Sequence, residues 1–216
     1  MSKKRISIVG LILLVLAIGS ASGARAATIL SQTGDASAVL VNDPIVLSWI
    51  QPSLYTGVSI MAAVSSNNFG PGGAGTVWLT TKVGPGTTGI DVVASMELTG
   101  VPYAVLGPAV LTELFSGLTL GPDTYYLVLS SDGNSPGLGW VLVSSPISIV
   151  APGVTTSTLV GLGGAPFPPA YDGLFPGTGA LAYSITGTSP AVPEPASLCL
   201  FGTGLVSLRA WRKRRQ

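Results

Sequence analysis

Apolar residues recur at every second position through the middle of this chain, and that period belongs to half-buried β-strands rather than to helices. In GVSIMAAVS, Val58, Ile60, Ala62 and Val64 fall on one face. In TVWLTTKV, Val77, Leu79, Thr81 and Val83 lie opposite Trp78, Thr80 and Lys82. In IDVVASMEL, a core face of Ile90, Val92, Ala94, Met96 and Leu98 alternates with outward Asp91, Ser95 and Glu97. Further strands are expected over residues 45–50, 124–130, 138–144, 155–160 and 180–187, and a single helical turn over 112–114.

Glycine (29) and proline (17) punctuate these runs in stretches such as NNFGPGGAG, VGPGTTG, LGPDT and SDGNSPGLG. Such residues supply the backbone angles of tight turns. Eight or so short strands so spaced predict an all-β fold: an antiparallel two-sheet β-sandwich, jelly-roll-like, over residues 27–187. Residues 161–179 form the longest turn-rich stretch and read as a surface loop, and long ordered loops often carry function. No internal repeat points to a propeller or solenoid.

Charge is scarce and partitioned. Only 9% of residues are charged, against about 25% in an average globular domain. Nine of the ten basic residues sit at the two ends: Lys3, Lys4, Arg5 and Arg25, then Arg209, Arg212, Lys213, Arg214 and Arg215. Between Ala27 and Pro190 the one cation, Lys82, faces Asp35, Asp43, Asp91, Glu97, Glu113, Asp123, Asp132 and Asp172, a net charge of minus seven. Such a body is repelled by phosphate backbones, which excludes nucleic acid as a partner.

The basic ends read as addresses. Lys3, Lys4 and Arg5 precede an apolar run over residues 6–18, and Ala24-Arg25-Ala26 offers the small-x-small pattern of signal peptidase. Residues 1–26 therefore read as a signal peptide, a helix cut after Ala26. Its apolar run spans roughly 20 Å as a helix, short of the ~30 Å hydrocarbon core, which argues against a permanent anchor. Residues 196–208 form a second apolar stretch of the same length, weakened as a helix by Gly202 and Gly204. This short transmembrane helix is followed by Arg212, Lys213, Arg214 and Arg215, a basic stop-transfer tail held on the cytoplasmic side. Cys199, the one cysteine, lies inside this stretch and reads as a small buried hydrophobe, so no intramolecular disulfide forms.

Val192-Pro193-Glu194-Pro195, an apolar segment with glycine near its middle and an Arg-rich end follow one another over residues 192–216, joined to the body by a linker at 188–191. This order closely resembles the PEP-CTERM sorting signal of Gram-negative bacteria that make extracellular polysaccharide. The resemblance implies recognition by a membrane-embedded exosortase, cleavage near the Pro-Glu-Pro motif, and passage of the body from an inner-membrane precursor to the cell surface or beyond. It makes Glu194 the recognition acid. Arg209 interrupts the apolar segment and shortens it relative to the family pattern. The prolines lack backbone donors and disfavour helix before them, which keeps 192–195 extended. A second stretch, FSGLTLGPDTYYLVLSS at 115–131, looks like a hairpin common in exported β-sandwich bodies that carry this tail.

Chemistry-bearing residues are few. With no histidine, neither a Ser-His-Asp nor a Cys-His site can form, and ligands for a catalytic or transition metal are missing from the body. Glu97 and Glu113 are the body's only glutamates and read as solvated surface charges, so the chain is expected to be non-enzymatic and free of cofactors. Calcium could use the oxygens of Asn42-Asp43, Asp132-Gly133-Asn134 or Tyr171-Asp172-Gly173, but none has the spacing of a calcium loop, and Asp and Asn are also ordinary turn formers. Aromatics remain. Trp78, Tyr171 and Phe175 are candidates for sugar stacking, the basis of an alternative reading as a carbohydrate-binding module acting on the cell's own exopolysaccharide. The first reading is an exported surface or matrix protein whose processing partners are signal peptidase and exosortase.

Overall fold

The computed structural model describes residues 26–40, 44–67, 72–104, 107–131, 137–161, 174–177 and 179–189. They fall in one compact unit, Arg25–Ser189. The expected signal helix and the expected transmembrane helix lie outside the described residues.

Thirteen strands are present: β1 (Ala26–Leu40), β2 (Ile45–Gln51), β3 (Tyr55–Ala62), β4 (Val64–Ser66), β5 (Gly73–Thr80), β6 (Val92–Val101), β7 (Gly107–Pro108), β8 (Thr112–Leu120), β9 (Asp123–Ser131), β10 (Leu138–Val150), β11 (Thr155–Gly161), β12 (Leu174–Pro176) and β13 (Tyr183–Thr188). They form two antiparallel sheets. The first runs β4-β10-β1-β13-β3-β8, with β7 on β1, and the second runs β12-β11-β2-β9-β5-β6. The chain shuttles between sheets, so strands adjacent in sequence are mostly not adjacent in space.

The core follows from the period-two pattern. Val58, Ile60 and Ala62 of β3, Val77 and Leu79 of β5, Leu127 and Leu129 of β9 and Ile185 of β13 are buried in one cluster fed by both sheets. β6 is the edge of the second sheet and alternates half-buried Ala94, Met96 and Leu98 with exposed Ser95 and Glu97, as a strand with one wet face should. β2 is buried on both faces because Val46 and Val128, on the outer side, are covered by Trp78, Tyr126 and Val83.

Four local expectations give way to tertiary effects. Ile90 is 92% exposed instead of core-facing. A 3-10 turn at Gly89–Asp91 precedes β6, closed by Thr88 and the Asp91 carboxylate, which accepts the Thr88 N–H at 2.8 Å; this turn breaks the alternation. Residues 112–114 begin β8 rather than a helical turn, because Thr112 and Glu113 pair with Ala62 and Met61 of β3. Residues 115–131 are not a hairpin: β8 and β9 lie in different sheets, and Gly121-Pro122 carries the chain across. Lastly, β1 is absent from the strands expected from sequence. Its Gly34-Asp35 pair is a bulge, where the register with β10 slips between Thr33 and Asp35 and Ser145 of β10 adopts φ 47°. A side chain at position 34 would meet the Ser144 carbonyl at 2.8 Å, which explains the glycine.

Two polar contacts lock the layers. Gln51 is 1% exposed; it accepts a hydrogen bond from Trp49 Nε1 at 3.1 Å and donates to the Leu120 and Gly121 carbonyls at 3.0 and 2.9 Å. One amide thereby ties β2 to the crossover between sheets. Trp49 also stacks on Tyr125, ring centroids 5.5 Å apart. On the other side, the buried Tyr183 hydroxyl of the first sheet is hydrogen-bonded to Thr156 of the second.

Gln51→Leu keeps the volume but strands the indole N–H and the crossover carbonyls. It should cost about 3 kcal/mol and lower Tm by roughly 6–12 °C in a thermal melt. A second expectation concerns alkali. Burial raises the Tyr183 hydroxyl above its usual range, and burial followed by the charge of Asp123 does the same for Tyr125. A raised folded-state value means that this stability is present below the unfolded value of about 10 and is lost as pH climbs through the folded values. Denaturation midpoints should therefore hold to about pH 9 and fall above about pH 10, with a shallower fall in Tyr183→Phe.

Candidate functional site

Two places in the described residues bear on function: the end of the body where both termini leave, and the outer face of the second sheet. At the first, Ala26 pairs with Thr188 and Ala27 with Gly187, on neighbouring antiparallel strands. The chain enters and leaves the body at positions about 5 Å apart. Ala26, the expected last residue of the signal peptide, is exposed at the start of β1, while Ala24 lies outside the described residues. The step from Thr188 to Val192 is four residues, at most about 14 Å when extended. Any enzyme acting at 192–195 therefore works close beside this end of the body. Val192, Pro193, Glu194, Pro195 and the tail Arg212, Lys213, Arg214 and Arg215 lie outside the described residues. Among the described residues, no helix is long and apolar enough to cross a membrane.

On the second sheet, six outward positions form two rungs across three strands. Tyr126 of β9, Ser48 of β2 and Ser157 of β11 make one rung; Thr124, Ile50 and Thr155 make the next. Together with the backbone of Trp49 and Thr156 they line a shallow groove of about 280 Å³. The hydroxyls of Ser48 and Ser157 lie 2.8 Å apart, and Thr156 Oγ1 donates to the Ser48 carbonyl at 3.0 Å. Ile50 is 52% exposed, and no lining residue is charged. Thr80, which continues the first rung beyond Tyr126, is fully buried. Its Oγ1 lies 2.9 Å from both the Lys82 and the Asp91 carbonyls and shares its one proton between them, pinning the 81–91 connection against the sheet. Lys82 is spent within that connection, its Nζ donating to the Gly86 carbonyl at 3.0 Å.

The candidate residues named from sequence are dispersed. Trp78 lies on the outer face, half-buried against Val46 and Val128, diagonal to Tyr126. Phe175 falls in β12, but its side chain, like the whole of Tyr171, lies outside the described residues. Glu97 is exposed on the outer face of the second sheet; Glu113 is exposed on the outer face of the first, where it accepts from Ser59 Oγ at 3.3 Å. Their carboxylates point away from each other. The Asp-bearing turns at 42–43, 132–134 and 171–173 are outside the described residues; among those described, no three of His, Cys, Asp and Glu converge. Sequence reading passed over Ser48 and Ser157. The signal that could have found them is the lone serine in the apolar run IVLSWIQ, which marks an outward position.

Comparison with known proteins bears on the C-terminal end alone. No curated protein and no solved structure matches the chain. The family model for the PEP-CTERM protein-sorting motif matches residues 191–215, beginning two residues beyond the described body and covering the Val192-Pro193-Glu194-Pro195 sequence, the apolar segment and the basic tail. The chain thus carries a PEP-CTERM protein-sorting motif, the mark of an exported protein made as a membrane-anchored precursor and sorted by an exosortase.

Proposed function

We propose that this chain is a non-enzymatic surface or extracellular-matrix protein whose cargo is the two-sheet body. Signal peptidase cuts after Ala26, the 196–208 helix holds the body transiently at the inner membrane, and exosortase cuts within 192–195 to send it to the cell surface. The observation that carries this reading is the sorting motif at 191–215, placed directly beyond the last strand. The geometry of the body supports it. Because β13 ends at Thr188, cleavage at 192–195 removes no strand, so release costs the fold nothing. The divergent placement of Glu97 and Glu113, with no histidine in the chain, supports a structural rather than hydrolytic cargo. The orders β1-β13-β3-β8 and β2-β9-β5-β6, reached by a chain that crosses repeatedly between sheets, support a jelly-roll sandwich with β10 and β11 added beside β1 and β2.

In the native host, Glu194→Ala or deletion of 212–215 should leave unprocessed chain in the inner-membrane fraction, read by fractionation and intact mass. Release of either variant at the wild-type level would refute sorting through this tail.

A further inference from the structure

The groove on the second sheet has a composition that suits one class of ligand. A sugar ring offers an apolar C–H face and a girdle of hydroxyls that both donate and accept. The groove offers the complement: exposed Ile50 and the ring of Tyr126 as apolar surface, with the hydroxyls of Ser48, Thr124, Thr155 and Ser157 around them. Hydroxyls suit such a ligand because each can donate or accept. The Ser48 and Ser157 hydroxyls are already held 2.8 Å apart. The groove is built on β2, β9 and β11: β2 is held by ladders on both sides, while Thr155–Ser157 of β11 pair with β2 alone and form the groove's open edge, since β12 meets β11 only at Leu159–Gly161.

Size and charge narrow the ligand further. At about 280 Å³ the groove falls just below the range of small-molecule pockets and stays open to solvent, which suits a chain lying across it rather than a molecule enclosed in it. Its lining carries no charge, and the body around it is net minus seven, so an acidic polymer is disfavoured. We propose that the outward rungs Tyr126-Ser48-Ser157 and Thr124-Ile50-Thr155 form a binding groove for a neutral polysaccharide. The proposal rests on the export reading only in that the ligand is met outside the cytoplasm.

The test is affinity electrophoresis of the full-length chain in mild detergent, through gels containing dextran, glucomannan or hydroxyethylcellulose, with alginate as the anionic comparison. At least one neutral polymer should retard the chain, and alginate should not. Tyr126→Ala should weaken retardation about tenfold, by loss of one ring's contact. Thr155→Arg, at an exposed position whose change leaves the core packing intact, should block the groove to the same degree. Ile147→Ser, exposed on the first sheet, should change nothing. Passage unretarded through all three neutral polymers, retardation that survives Thr155→Arg, or equal retardation by alginate would each overturn the groove. C-terminal processing of the same variants, read by intact mass in the host, separates the two readings: normal processing with no binding refutes the groove and leaves sorting intact.

Discussion

The first sheet depends on the pairing of the chain's beginning with its end. β1 lies between β10 and β13, so the first strand has both main neighbours among the last four, and its ladder to β13 joins residues more than 150 positions apart. Until β13 has been made and exported, β1 has no inner partner and the cluster containing Ile29, Leu30 and Ile185 cannot close. Folding is therefore late, and dominated by contacts distant in sequence. The same arrangement brings both termini out side by side. A cut after Ala26 would remove the terminal Ala26–Thr188 rung of the β1–β13 ladder, and the sorting motif begins just past that same rung. Cuts at these two places would fall at the margin of the fold and leave its core undisturbed.

Low charge has structural consequences beyond solubility. With Lys82 as the one cation among the described residues, the body uses neutral hydrogen bonds where apolar packing meets an unavoidable polar group. Gln51 is the clearest case, a buried amide that satisfies an indole and two carbonyls at the point where the chain crosses between sheets. Thr80 does similar work at the surface, holding the 81–91 connection so that Val83 packs against the outer side of the second sheet. That connection buries one part of the outer face and leaves the neighbouring part, from Tyr126 to Ser157, open. A groove on a flat sheet arises from this asymmetry.

Much of the strand content was legible because burial on one face imposes a period of two on the sequence. β3, β5, β9 and β13 show it, and the inward residues of β3 and β5 were named from the pattern alone. The misreadings share a cause: local signals were overridden by partners far along the chain. Residues 112–114 resemble a helical turn until β3 supplies a ladder; Gly121-Pro122 resembles the tip of a hairpin but bridges two sheets. Ile90 lost its place in the core to a capped turn three residues long. The groove was not legible as a unit, since its walls on either side of β2 come from strands 70 to 110 residues away from it.

The sequence by itself determined the all-β class, the acidic and histidine-free body and the sorting motif at 191–215. Each of these is local or additive: a period, a count, a contiguous string. Tertiary structure alone decided that β1 is clasped by β10 and β13, that the two glutamates face opposite ways, and that six residues from three strands share one neutral groove. Those outcomes depend on which strands pair and in what register, and a single-residue shift in register would turn every one of those side chains to the other face.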